Sequence, residues 1–153
     1  MRKIKWGILG CGGIAHKFAG SLASVEDGEL VACASRTPGK AEEFSREMAV
    51  PQAYSAYERL LSETELDAVY VSTTHNFHCE NVLLALSMGK HVLCEKPLGV
   101  HANESRKMSA LAQEKGLFLM EGMWTRFLPA VQQMKRWLDD GKIGKVKILR
   151  ATF

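Results

Sequence analysis

Apolar runs that fit β-strands alternate along the chain with segments whose apolar residues recur at helical spacing. Ile14, Phe18 and Leu22 stand four positions apart, which places them on one face of a helix. Thr37 and Pro38 predict the start of the next helix, as an N-cap followed by a first helical proline. The other predicted helices are 78–88, 103–115 and 129–140, and the predicted strands are 3–9, 29–35, 67–73, 91–95 and 117–121, with a very short strand and a helix within 52–62.

This alternation of strand and helix predicts an α/β fold in which a doubly wound parallel sheet carries helices on both faces. The last segment, 145–153, differs because its apolar residues alternate with polar ones, as in a strand with one buried face. We interpret it as the first strand of a C-terminal α/β domain that the chain lacks, so the predicted domains are 1–144 and 145–153. An unpaired edge or apolar face there would favour dimerisation or disorder.

Composition narrows the function classes. The chain has 153 residues, of which 46% are hydrophobic and 24% charged, as in an ordinary globular domain. A net charge of +3 is too small to indicate nucleic-acid binding, and no apolar run is long enough to predict a membrane span. The four cysteines show no Cys-x-x-Cys spacing and lie in or beside apolar stretches, which predicts buried thiols and a reducing, cytoplasmic location.

A glycine pattern, GILGCGGIA, stands directly after the first predicted strand and at the start of the first helix. Gly10 permits a tight turn, Gly12 lets a pyrophosphate approach the backbone, and the small Ala15 lets the helix pack on the strand. The N–H groups at the helix N-terminus face the phosphates. The pattern predicts a Rossmann dinucleotide site made by Gly10, Cys11, Gly12, Gly13, Ile14 and Ala15; the alternative is a glycine turn in a fold that binds nothing.

The end of the second predicted strand bears on the choice of cofactor. In a Rossmann domain this position lies by the adenosine ribose. An Asp or Glu there would accept hydrogen bonds from both ribose hydroxyls and would repel a 2′-phosphate. Here it carries Ser35 and Arg36, with Thr37 and Lys40 just beyond. Arg36 can pair with a phosphate in bidentate fashion, and we expect no acid to compete for the site. We therefore predict NADP as cofactor, with NAD less favoured; the alternative is that Arg36 is a solvated loop residue.

Two further motifs follow the glycine loop in order, GKHVLCEKP at 89–97 and GKIGKV at 141–146. Together the three resemble the glucose–fructose oxidoreductase/inositol dehydrogenase (Gfo/Idh/MocA) family of NAD(P)-dependent oxidoreductases. The segment STTHNFH departs from the commoner Thr-Pro-Asn-x-x-His of that family, since Thr74 stands at the Pro position and His75 at the Asn position. This variant, together with MEGMWTRFLPA at 120–130, resembles the dimeric dihydrodiol dehydrogenases and the NADP-dependent D-xylose dehydrogenases, which favour NADP.

The resemblance implies roles for particular residues. Lys96 would be the catalytic lysine beside the nicotinamide, where it hydrogen-bonds the substrate oxygen and relays its proton. Glu95 would lie near the nicotinamide ribose, and Pro97 would fix the backbone of the lysine. The remaining residues that the resemblance assigns to cofactor or cleft are Thr73, Thr74, His75, His78, Trp124 and Arg126.

The resemblance also implies a substrate, a sugar, polyol or cyclic diol whose CH–OH group exchanges hydride with NADP(H). Family members carry a second α/β domain that binds substrate, so we expect this chain to bind cofactor without full activity and the whole protein to form a homo-oligomer. A non-catalytic dinucleotide-sensing regulator is the alternative, although it would not need Lys96. His75 and His78 with Cys79 suggest a helix start rather than metal ligands, and we predict no metal site.

Overall fold

The computed structural model describes residues 2–150 and contains one six-stranded parallel sheet. The strand order is β3-β2-β1-β4-β5-β6, which is the doubly wound Rossmann order and confirms the predicted fold class. The strands are β1 (Ile4–Leu9), β2 (Gly28–Ala34), β3 (Gln52–Tyr54), β4 (Ala68–Val71), β5 (His91–Cys94) and β6 (Leu119–Glu121). The helices are α1 (Gly13–Leu22), α2 (Lys40–Met48), α3 (Tyr57–Glu63), α4 (His78–Ser87), α5 (Ala102–Glu114) and α6 (Pro129–Asp139), with short 3₁₀ turns at His75–Phe77 and Trp124–Phe127.

The central strands are apolar on both faces because helices cover both sides of the sheet. Ile8 and Tyr70 point to the face where α1 and α2 pack, and Phe44 of α2 is buried there. Leu9 and Val69 point to the opposite face, against α3, α4 and α5. Neighbouring residues of one strand thus enter different cores, which explains why the strands appear in the sequence as continuous apolar runs.

The predicted start of the second helix is wrong. Thr37 is not its N-cap, and Pro38 is not its first residue, because a turn through Gly39 comes first. Gly39 has a φ of 76°, a left-handed conformation that no residue inside an α-helix adopts. The helix therefore begins at Lys40, whose N–H donates to the carbonyl oxygen of Thr37 over 3.2 Å. Thr37 and Pro38 lie in the turn between the second strand and this helix.

The described residues fall into two compact units, which divide between Gly122 and Met123. The first contains the whole sheet. In the second, residues 145–150 form no strand, so the predicted strand over 145–153 is wrong for those six positions, and 151–153 lie outside the described residues. A strand is held by hydrogen bonds to a neighbouring strand, and residues 2–150 provide none there. The domain boundary at 144 stays a prediction.

Two predictions from composition concern buried thiols and membrane spans. Cys11, Cys33 and Cys94 are buried and Cys79 is partly buried, all four as free thiols. Among residues 2–150, no helix combines the length and the apolar composition that a bilayer crossing requires.

Replacement of Phe44 should show how much the α1–α2 side of the sheet stabilises the fold. Phe44 is 1% exposed, whereas Phe118 is 61% exposed. Because a buried ring leaves both lost contacts and a cavity, Phe44→Ala should lower the free energy of unfolding by about 3–5 kcal/mol, and Phe118→Ala by less than about 1 kcal/mol. Urea unfolding of the two variants measures both values. Equal losses would contradict the assignment of Phe44 to the core.

Candidate cofactor site

The site lies where the strand order reverses, between β1 and β4. The chain leaves β1 toward α1 on one face of the sheet and leaves β4 toward α4 on the other face. A crevice therefore opens beyond the carboxyl ends of these two strands. Two hydrogen bonds join the strand ends there: the Ser72 N–H donates to the Leu9 carbonyl oxygen over 2.9 Å, and Ser72 Oγ donates to the Gly10 carbonyl oxygen over 2.7 Å. The segments after β1 and β4 are therefore held against one another.

Gly10 is required by this close approach. Its φ is +96°, and a Cβ at this position would lie 3.0 Å from backbone atoms of Ser72 and Thr73. A side chain would meet rigid main chain rather than a flexible neighbour, so only glycine fits the turn. The predicted role of Gly10 has a structural basis that does not depend on any ligand.

At Gly12 and Gly13, in contrast, neither packing nor backbone conformation requires glycine. A Cβ at either position would meet nothing within 4 Å, and neither residue has a positive φ. They stand at the N-terminus of α1, which has no side-chain cap and no acidic residue in its first turn. Ala15 is fully buried against the sheet, as predicted for a small residue there, and Ile14 is 41% exposed. The space that a Cβ would take at Gly12 and Gly13 is open, and an uncapped helix N-terminus suits an anion.

One pocket of about 340 Å³ brings nine of the predicted site residues together. They are Gly10, Cys11, Gly12, Ser35, Arg36, Thr37, Lys40, Thr73 and Thr74. Three further residues that the sequence did not indicate complete the wall, Tyr57, Phe77 and Asn81. Their contribution depends on how α3 and α4 pack on the sheet, and no local motif carries that information.

Asn81 contributes an unsatisfied polar atom to this wall. Its side chain is fully buried, and its Nδ2 donates to Thr73 Oγ1 over 3.1 Å. Its Oδ1 finds no donor among the residues that the structure describes. A buried acceptor without a partner is costly, so a ligand or water donor is expected at this point. This atom fits a ligand that offers a hydrogen-bond donor, such as a hydroxyl group, whereas the open space at Gly12 and Gly13 suits an anion.

Arg36 is engaged by groups from two helices. Its guanidinium lies 4.8 Å from the centre of the Tyr57 ring, and its Nη1 donates to Glu80 Oε1 over 2.6 Å. Glu58 Oε1 is 3.9 Å from Nη2. The prediction that no acid competes for Arg36 is therefore wrong, since both acids lie far from it in sequence and are brought close by α3 and α4. Ser35 Oγ accepts the Thr37 N–H over 3.2 Å and shapes the turn that presents Arg36.

Both carboxylate oxygens of Glu95 make hydrogen bonds that fix the segment after β5. Tyr70 donates to Glu95 Oε1 over 2.5 Å, and Glu95 Oε2 accepts the Lys96 N–H over 3.2 Å. Burial, and then the hydrogen bond to Glu95, raise the pKa of Tyr70, so the phenol stays neutral and donates. Lys96 is exposed and is followed by a cis bond to Pro97. The strand-end carboxylate is held rigidly while the lysine side chain faces solvent.

His78 is buried against two backbone carbonyl oxygens, and its predicted cofactor contact stays a prediction. The ring is 1% exposed, and its nitrogens lie 2.7 Å from the Pro97 carbonyl oxygen and 3.0 Å from the Thr73 carbonyl oxygen. The imidazole thus joins the segments after β4 and β5, because the first turn of α4 points it inward, and it does not line the pocket. His75 lies in the preceding 3₁₀ turn and is exposed. Within residues 2–150 no three His, Cys, Asp or Glu side chains form a group that could hold a metal ion.

Trp124 and Arg126 belong to the second compact unit and are exposed there. Their predicted place at the nicotinamide and substrate cleft stays a prediction. Gly13 lines a second cavity of about 290 Å³, next to His16 and Glu47. His16 bridges the two helices of this face: its Nδ1 is 2.9 Å from the Gly12 carbonyl oxygen, and its Nε2 is 2.8 Å from Glu47 Oε2.

The fold and this pocket define a Rossmann domain built to bind a dinucleotide. Comparison with known proteins agrees: the model of the GFO_IDH_MocA family, described as "Oxidoreductase family, NAD-binding Rossmann fold", matches residues 4–123. The chain belongs to this family of NAD(P)-dependent oxidoreductases, which confirms the resemblance seen in its motifs.

Relatives of the chain are dehydrogenases. It is 43% identical over 152 residues to mouse trans-1,2-dihydrobenzene-1,2-diol dehydrogenase and 44% identical over 148 residues to the rabbit enzyme of that name, covering 98% and 95% of this chain. These matches span 46% and 45% of the two relatives, so the chain covers slightly less than half of their length.

Solved structures with the same fold include relatives with bound cofactors. Scyllo-inositol dehydrogenase from Lactobacillus casei, with bound NAD(H) and scyllo-inositol, is 27% identical with a TM-score of 0.87 over 94% of this chain and 43% of its own. A mutant of KijD10, a 3-ketoreductase from Actinomadura kijaniata, in complex with TDP-benzene and NADP, is 34% identical with a TM-score of 0.87 over 95% of this chain and 45% of its own.

Substitution of the loop glycine tests the turn directly. Gly10→Ala forces a side chain into a left-handed conformation against main chain, so it should lower the free energy of unfolding by about 1–3 kcal/mol and weaken NADPH binding at least about tenfold. Gly20→Ala is the matched control, since Gly20 lies inside α1 and a Cβ there would meet nothing within 4 Å. It should be neutral or stabilise by up to about 1 kcal/mol. Urea unfolding and cofactor fluorescence measure the two effects, and equal behaviour of the variants would contradict this assignment.

The contacts of His16 make part of the stability depend on pH. The hydrogen bond to the Gly12 carbonyl and then the one to Glu47 raise the pKa of His16 above its ordinary value of 6.5. The stabilisation of the fold by protonated His16 is therefore complete below pH 6.5 and is lost as the pH rises through the raised pKa. Glu47→Gln should remove part of this dependence between about pH 6 and pH 8, whereas Glu42→Gln on the same helix should not. Urea unfolding at several pH values measures this dependence. The same change of unfolding free energy with pH in wild type and Glu47→Gln would contradict the prediction.

Proposed function

We propose that the chain is the cofactor domain of an NADP-dependent dehydrogenase that exchanges hydride between NADP(H) and a CH–OH group of a sugar, polyol or cyclic diol. The observation that supports it best is the open space at Gly12 and Gly13, in the same pocket as Arg36 and Lys40. Neither packing nor backbone conformation requires glycine at these two positions, whereas a pyrophosphate approaching the first turn of α1 does.

The pocket suits the adenosine half of the cofactor. The backbone at 10–15 would hold the pyrophosphate, and Ser35, Arg36, Thr37 and Lys40 would surround a 2′-phosphate on the adenosine ribose. Thr73, Thr74 and His75 would line the path from pyrophosphate to nicotinamide. One solved relative is described with NADP and another with NAD(H), so the preference for NADP rests on Arg36 and Lys40.

Residues after β5 would form the reactive end. The nicotinamide, when bound, supplies the hydride donor or acceptor. Glu95, fixed by Tyr70, and Pro97 would set the backbone of Lys96, whose amine would hydrogen-bond the substrate oxygen and accept or return the proton of its O–H. An alcohol loses that proton as well as a hydride, which gives a lysine at this strand end a chemical role.

The relatives support the substrate class. Those 40–44% identical to the chain are named trans-1,2-dihydrobenzene-1,2-diol dehydrogenases. One solved structure holds scyllo-inositol. A small diol or polyol as substrate, a homo-oligomeric whole protein and a cytoplasmic location are parts of this proposal. We expect the chain by itself to bind cofactor without sustained turnover.

The role of Arg36 is tested by binding. Arg36→Ala should weaken NADPH binding about 10- to 100-fold and change NADH binding less than about threefold, because charged hydrogen bonds to the 2′-phosphate are lost. Arg59→Ala is a matched control, since Arg59 also lies over a tyrosine ring and pairs with a glutamate, Glu63, but does not line the pocket. Titration followed by cofactor fluorescence measures each dissociation constant. Tighter binding of NADH than of NADPH by the wild type would contradict the assignment.

The role of Lys96 is tested by turnover in the whole protein. Lys96→Ala should lower kcat at least about 100-fold while the dissociation constant of NADPH changes less than about threefold. Lys107→Ala, an exposed lysine of α5, is the control and should keep kcat. A wild type that binds NADPH but oxidises no sugar, polyol or diol would instead favour the non-catalytic regulator.

A further inference from the structure

We propose that Glu80 is a specificity-determining residue of the cofactor site: its carboxylate occupies the Arg36 guanidinium and thereby limits the preference for NADP(H) over NAD(H). The inference rests on the proposed function, which places a 2′-phosphate at Arg36. The end of β2 carries no acid, but α4 brings one to the same point in space. Glu80 would thus supply from another helix the negative charge that the strand end lacks.

Glu80 is held in place by its helix. It is the third residue of α4, in the first turn, where the partial positive charge of the helix N-terminus favours a carboxylate. Neighbouring side chains of the same turn, His78 and Asn81, are buried at 1% and 0% exposure and fix the helix against the strand-end segments. The backbone of Glu80 is therefore fixed by the helix, and its carboxylate is held at Arg36 by their hydrogen bond.

Arg36 is held in place from its other side. Its guanidinium lies over the face of Tyr57, which is 5% exposed and forms the start of α3. The ring limits where the guanidinium can lie, and the 2.6 Å hydrogen bond to Glu80 uses its Nη1. A phosphate that approaches Arg36 must share the guanidinium with Glu80 or displace its carboxylate.

NADP(H) and NAD(H) would differ in the charge that they bring to the Arg36–Glu80 pair. A 2′-phosphate brings close to two negative charges to a place that already holds Glu80 and, at 3.9 Å from Arg36, Glu58. A ribose 2′-hydroxyl brings none and can donate a hydrogen bond to a carboxylate. Because both side chains of the Arg36–Glu80 pair are about half exposed, solvent weakens the repulsion, and the penalty against NADP(H) is on the order of fivefold.

The test compares glutamine variants of this chain, titrated with NADPH and with NADH by cofactor fluorescence. Glu80→Gln keeps the shape of the side chain and removes its charge, so it should tighten NADPH binding about fivefold and leave NADH binding unchanged or weaker. Glu58→Gln removes a charge that is farther from Arg36 and should tighten NADPH binding less than about twofold. Glu63→Gln removes a charge outside the pocket and should change neither. The gain in Glu80→Gln should shrink at high salt.

An unchanged ratio of the two dissociation constants in Glu80→Gln, or weaker NADPH binding, would overturn the inference. In that case Arg36→Ala still tests the proposed function independently: selective loss of NADPH binding keeps the 2′-phosphate at Arg36, and the same loss for both cofactors removes it. Urea unfolding shows whether each variant is folded. Glu80→Ala removes the same charge and should shift the ratio in the same direction, should the glutamine disturb α4.

Discussion

The close approach of the segments after β1 and β4 is the constraint on which the site depends. Gly10 turns with a positive φ directly against the backbone of Ser72 and Thr73, and the Ser72 hydroxyl donates to the Gly10 carbonyl oxygen. This contact places the N-terminus of α1 at the point where the strand order reverses. Without it, the open glycine backbone, the end of β2 and the first turn of α4 would not face one pocket.

Charge around Arg36 in the pocket is balanced rather than uniformly positive. Arg36 and Lys40 line the pocket, and Glu58 and Glu80 pair with Arg36. In the proposed function the two cations would attract phosphate, and the two acids would oppose further negative charge. After β5, Tyr70 holds Glu95 by a hydrogen bond, and His78 joins the segments after β4 and β5 through their carbonyl oxygens. The contacts that hold Arg36 are therefore separate from those that hold the segment carrying Lys96.

The parts of the site that depend on local sequence could be predicted, and those that depend on packing could not. The glycine loop was predicted because a tight turn and a bare helix N-terminus need glycine at fixed spacing. The partners of Arg36 could not be predicted, because Glu58 and Glu80 are 22 and 44 positions away and meet it only through α3 and α4. The helix start at Thr37 was wrong because a left-handed Gly39 intervenes, and Pro38 alone does not reveal that turn.

The overall fold could also be predicted, because its pattern is local in the sequence. Continuous apolar runs between amphipathic segments predict buried parallel strands, and the two cores on opposite faces of the sheet require that pattern. The segment 145–150 shows the opposite case, since alternation predicts a strand only where another strand is present to pair with it.

The central claim is that the backbone at the start of α1 binds a dinucleotide phosphate, and amide NMR of the ¹⁵N-labelled chain tests it most directly. On addition of NADP⁺, the largest shifts are predicted for the amides of Gly12, Gly13, Ile14 and Ala15, with further shifts at 35–37 and 73–75. Residues 109–119, which border a separate cavity between α5 and β6, should stay unchanged. Shifts confined to that cavity, or no shifts at millimolar NADP⁺ and NAD⁺, would contradict the account.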